Sequence, residues 1–114
     1  MTKRLVMYSR TTPCPFVTVA KRTLNDYQVE YVELFIDQDA EARRRVQEWT
    51  GFLSVPTIVV AEGSGVLPLE APAPLERGRS PRGVDRGALI TEANGEELAA
   101  FLLKHGFISE IVRD

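Results

Sequence analysis

The chain has 114 residues, 44% hydrophobic and 26% charged, with a formal net charge of −2. That length and balance describe one domain with a core of its own, and the slight acidity argues against a nucleic-acid surface, which is usually basic. A lone cysteine, Cys14, forbids an internal disulfide and suits a reducing compartment. The basic start at Lys3 and Arg4 leads into an apolar run too short for a signal peptide, and no stretch approaches the roughly 18 apolar residues of a membrane span, so a cytoplasmic protein is expected.

Residues 5–8 form an uninterrupted apolar run, the pattern of a strand covered on both faces. After the Cys14 loop, Phe16, Ala20, Leu24 and Tyr27 share one face at helical spacing, with Lys21 and Arg22 off it. Residues 29–36, rich in β-branched and aromatic side chains, predict a second strand. Asp39 caps a second helix with Ala42, Val46 and Trp49 inward, and Gly51 stops it. A third strand covers 57–61. Residues 62–86 hold four of the seven prolines, four of the eight glycines and a mixture of arginines and acids, which predicts a long, partly mobile surface loop. Residues 87–91 offer a fourth strand. Asn94 caps the last main helix, Glu96 and Glu97 fill its first turn, and Leu98, Phe101 and Leu102 face inward. Gly106 ends it, and Phe107, Ile108, Ile111 and Val112 predict a final helical turn or two.

The order β-α-β-α-β-β-α predicts an α/β fold with a mixed four-stranded sheet flanked by helices. Its strand–helix–strand units imply parallel crossovers, and the last two strands imply an antiparallel pair.

Cys14 stands between an apolar strand and an amphipathic helix, in Thr11-Thr12-Pro13-Cys14-Pro15-Phe16-Val17. The first turn of a helix offers unpaired N–H groups and a partial positive charge, both of which favour a thiolate, the reactive form of the side chain. A buried, inert cysteine is the alternative, and the flanking Pro and Thr residues argue for an accessible sulfur. Three residues on stands Val17 instead of a second thiol, so a resolving thiol would come from elsewhere. His105 has none of the partners a metal or catalytic role needs, and its partial positive charge suits a helix C-terminus.

The segment from Tyr8 to Val17, followed by Ala20-Lys21-Arg22, resembles the active-site segment of glutaredoxins. The stretch Thr50-Gly51-Phe52-Leu53-Ser54-Val55-Pro56-Thr57-Ile58 is similar to that family's Gly-x-x-Thr-Val-Pro stretch. The resemblance covers the chain apart from 62–86, which has the look of an insertion into a single domain, and it implies the thioredoxin-like fold. It implies Cys14 as the nucleophile, Pro15 as the first helical residue with Phe16 beside it, Pro56 as a cis-proline facing Cys14, and Val55 as the backbone that receives an extended thiol. It further implies Arg10 on a carboxylate of the small thiol, and Asn94, Gly95 and Glu96 at its other end.

The implied activity is single-cysteine thiol–disulfide exchange on mixed disulfides between proteins and glutathione or a similar small thiol, with that thiol as co-substrate and no tightly bound cofactor. Protein mixed disulfides and a low-molecular-weight thiol are then the partners; no nucleic acid or membrane is expected. A monomer is expected, with a dimer as the alternative. Two other readings stand beside this one. The first is an iron–sulfur carrier homodimer held by Cys14 and glutathione, which Pro15 disfavours because the cluster-carrying members have glycine there. The second is a thioredoxin-like interaction module with an idle thiol.

Overall fold

The structure, a computed structural model, describes residues 2–112. The elements come in the expected order: β1 Lys3–Ser9, α1 Pro15–Asp26, β2 Tyr31–Phe35, α2 Ala40–Thr50, β3 Thr57–Glu62, β4 Leu89–Thr91 and α3 Gly95–Lys104. They form one sheet in the order β2-β1-β3-β4. Alternation along β1 divides the core into two layers. Leu5 and Met7 pack with Ala20, Leu24, Leu98 and Phe101 from α1 and α3. Val6 and Tyr8 pack with Ala42 and Val46 from α2, and this second cluster also takes in Cys14 and Val17.

The cap signals act as read. The Asp39 carboxylate accepts from the N–H groups of Glu41 and Ala42, Gly51 ends α2 at φ 78°, and Asn94 and Glu97 form a reciprocal capping box at the head of α3.

Three expectations are corrected. β1 and β2 pair in parallel, but β3 runs antiparallel to β1, so the second strand–helix–strand unit is not a parallel crossover. The register gives the reason. The chain leaves the sheet at Phe35, opposite Ser9, and returns at Thr57, opposite Tyr8. It therefore re-enters at the end it left, and only an antiparallel strand fits. The inward face of α1 is Val17, Ala20 and Leu24, with Phe16 and Tyr27 only half-buried. Residues 106–112 form no helix. Gly106, at φ 79°, turns the chain so that the Phe107 N–H reaches the Leu102 carbonyl. Phe107 and Ile108 then dock on the core, while the Val112 side chain stays in solvent.

Beyond Glu62, the last residue of β3, residues 63–86 contain no helix or extended strand, yet both arms of the segment are tied to the rest of the fold. The Tyr8 hydroxyl donates to the Val66 carbonyl (2.5 Å), Arg4 Nε to Gly65 O (2.8 Å), and the Leu69 N–H to Val60 O (2.9 Å). Arg82 and Asp85 bridge to Thr91 and Ile90, so the loop covers the open edge of β4. Arg86, expected as a loop charge, is buried. Its guanidinium donates to Ala73 O (2.7 Å) and to Trp49 O (2.5 Å), one of the last carbonyls of α2, and burial pulls its pKa down.

Candidate active site

Cys14 is the N-cap residue of α1, with extended backbone, and Pro15 opens the helix. Its carbonyl accepts from the N–H and the hydroxyl of Thr18 (3.0 and 3.2 Å), which locks the first turn. Its side chain makes no capping hydrogen bond, and the N–H groups of Phe16 and Val17 take no partner among the described residues. The helix start thus keeps its donors and its partial positive charge free beside the sulfur.

The sulfur is less open than the flanking Pro and Thr residues suggested. Cys14 retains 9% relative exposure, because Val17, Ile36 and Val55 close around it from the α2 side of the sheet. What stays uncovered faces a cleft of about 480 Å³ lined by Arg10, Cys14, Pro15, Phe16, Val55 and Glu92, among others. The Cys14 thiol approaches the Val55 carbonyl at 3.8 Å, the Val55 N–H has no partner among the described residues, and the Val55–Pro56 bond is cis.

Hydrogen bonds of Arg10 and Thr11 fix the segment that precedes the thiol. Asp37 accepts from the Thr11 N–H (3.0 and 3.2 Å) and from the Thr11 hydroxyl (2.5 Å), and these bonds, with Arg10 nearby, hold its carboxyl below the usual range. Arg10 donates through Nη2 to Pro13 O (3.0 Å), while its buried Nε has no partner among the described residues. The proline before the nucleophile therefore supplies the carbonyl that orients this arginine.

Arg10, Cys14, Pro15, Phe16 and Val55 line one cleft. Asn94, Gly95 and Glu96 do not join it: Asn94 is engaged in its capping box, and Gly95 and Glu96 line a separate hollow with Thr23, Tyr27 and Ala99 between α1 and α3. In their place stands Glu92, the residue after β4, at φ 48°, its N–H bonded to Pro56 O (2.8 Å). Phe52, Leu53 and Ser54, next to Val55 in the chain, also line the cleft, and Ser80 and Pro81 of the 62–86 loop contribute to its wall. Phe52 is 61% exposed there. The signal for 52–54 was their position within the motif that ends at Pro56, whereas Ser80, Pro81 and Glu92 had none. Among the described residues no three or more His, Cys, Asp or Glu side chains stand together in a metal-binding group.

A mixed four-stranded sheet between α1 and α3 on one face and α2 on the other, with a thiol at the head of the first helix, defines a thioredoxin-like protein. A family model described as Glutaredoxin matches residues 5–64, just over half of the chain, and the chain belongs to the glutaredoxin family. No match to it was found among curated proteins. Membership supports a redox function on thiols and disulfides, and glutaredoxins use glutathione as co-substrate. Among the described residues no helix is long and apolar enough to cross a membrane.

Proposed function

We propose that the protein catalyses thiol–disulfide exchange on mixed disulfides between a protein and a small thiol such as glutathione, with Cys14 as the only sulfur used. The observation that carries this reading is the uncapped start of α1 at Cys14, facing a cleft whose far side is the Val55 backbone. In the first step the Cys14 thiolate attacks the small-thiol sulfur. A Cys14–small-thiol disulfide forms, the original S–S bond breaks, and the protein sulfur leaves as a thiolate that takes up a proton. In the second step a free small thiolate attacks that same small-thiol sulfur, releasing the symmetrical small disulfide and restoring Cys14. Three sulfurs lie in line in each step, so the guest must lie flat against the cleft. The free Val55 N–H and the Val55 carbonyl suit an extended guest, in the manner of an added strand. The unpartnered Arg10 Nε supports a carboxylate at the entrance. Whether residues 62–86 are an insertion belongs to the same reading; the family match stops at residue 64, before nearly all of them.

Intact-mass analysis after incubation with oxidised glutathione tests it. The wild type gains one glutathionyl group, Cys14→Ser gains none, and turnover of a glutathionylated peptide with reduced glutathione falls to background in the variant. A wild type that stays unmodified, or a variant as active as the wild type, overturns the proposal.

A further inference from the structure

We propose that Arg82, in the 62–86 loop, is a specificity-determining residue: by neutralising Glu92 it makes the Cys14 cleft select small disulfides that carry a carboxylate. The proposal rests on the exchange reading above. Arg82 and Glu92 lie outside the matched segment 5–64. The guanidinium of Arg82 sits 4.8 Å from the centre of the Phe16 ring, and Phe16 lines the cleft. Its Nη2 lies 3.3 Å from Glu92 Oε2. The loop cannot easily swing away at this point, because Arg82 bridges to Thr91 and the Gly83 N–H donates to Thr91 O (2.7 Å).

The charges explain why the pair matters. Arg10 and Glu92 are the only ionisable Asp, Glu, Lys or Arg side chains among the described residues that line the cleft. The Glu92 side chain is only 16% exposed, whereas that of Arg82 is 60% exposed. A carboxylate so enclosed, with little water to screen it, projects its field into the cleft unless a cation meets it. Arg82 is the one cation paired with Glu92 among the described residues, so with it in place the cleft's remaining charge is that of Arg10. Asp37, beyond Arg10, is committed to Thr11 and does not line the cleft. Removing Arg82 exposes a negative field to the incoming disulfide; removing Glu92 frees a second guanidinium, already stacked on an aromatic face, to receive an anion.

The test uses three small disulfides that share one reacting bond and differ in charge: 3,3′-dithiodipropionate (anionic), cystamine (cationic) and bis(2-hydroxyethyl) disulfide (neutral). In each, Cys14 takes one half as a disulfide and the other half leaves as a thiolate. Second-order rates of adduct formation are followed by intact mass at low ionic strength. The ratio of the anionic to the cationic rate falls about fivefold or more in Arg82→Gln and rises by a similar factor in Glu92→Gln. The double variant returns close to the wild-type ratio, and all the differences shrink in 0.5 M salt, as expected for charges in partial contact with water. Because Glu92→Gln shifts the ratio the opposite way and preserves side-chain shape, it decides the matter even where Arg82→Gln loosens the loop. A ratio within twofold of wild type in both single variants overturns the proposal. A wild type unreactive toward all three disulfides removes the exchange reading itself, a different result from an unshifted ratio.

Discussion

Val17 occupies, three residues after Cys14, the place of a second thiol, and it does so as a packed core side chain at 6% exposure. The position therefore serves packing, and in the proposed exchange cycle the closing step falls to an external thiol. Cys14 and its immediate neighbours were legible in the sequence because a proline at the first helical position and a flanking apolar strand are local signals. His105 was not. Its Nε2–H donates to Gly87 O (2.8 Å), a partner 18 residues away that spacing does not reveal, while its ring lies 4.6 Å from that of Phe101, one helical turn back. Burial, the largest influence, holds the imidazole below its ordinary pKa, against the expectation that it carries positive charge at the end of α3. The folded protein therefore binds fewer protons than the unfolded chain between that lowered value and about 6.5, the ordinary imidazole value. The stability this contributes is fully present above about pH 6.5 and is lost as pH falls below it. A thermal-unfolding series from pH 8 to pH 5 is expected to show this decline in the wild type and a flatter profile in His105→Gln. Asp37 and Glu41, both shifted down, titrate at more acidic pH and do not contribute in that range. Equal slopes in the two proteins would show that His105 is not the titrating group.

Among the elements, the helices were readable to within a residue or two, because Asp39, Gly51 and Asn94 are short-range caps. The direction of β3 and the state of 106–112 were not, since both depend on where the chain returns to the sheet. The loop and α3 meet at Gly83, and that contact carries a prediction. Gly83 has φ 72°, and a Cβ there would stand 2.5 Å from Glu97 Oε2, in the side chain that completes the capping box of α3. Gly83→Ala is expected to cost about 1 kcal/mol for the left-handed backbone and about another 1 kcal/mol for the displaced cap, measured by urea unfolding. Gly78 has φ 80° and nothing within 4 Å of such a Cβ, so Gly78→Ala isolates the backbone part. Equal losses in the two variants would mean that Glu97 gives way without cost.

For the molecule as a whole, composition alone suggested a sheet domain with a loose appendage at 62–86. The appendage is instead joined to the sheet edge, to Tyr8 and to the end of α2, through contacts between residues as far apart as Tyr8 and Val66. Such contacts leave no periodic trace, and the wall that Ser80 and Pro81 give the cleft was invisible for the same reason.

The spacing of those ties has a consequence for protease sensitivity. Between the backbone bond at Ala73 and the one at Gly83 lies an exposed turn with Arg77 and Arg79, whereas Arg82 and Arg86 are held against the sheet and α2. Brief trypsin treatment of the native protein is expected to nick it first after Arg77 or Arg79, leaving two fragments that stay associated through gel filtration and separate only in denaturant. Early cleavage after Arg82 or Arg86 would show those ties to be weak. A single clip at the tip would free the segment ahead of Ser80 while leaving every residue of the thiol cleft on a fragment still bound to the sheet.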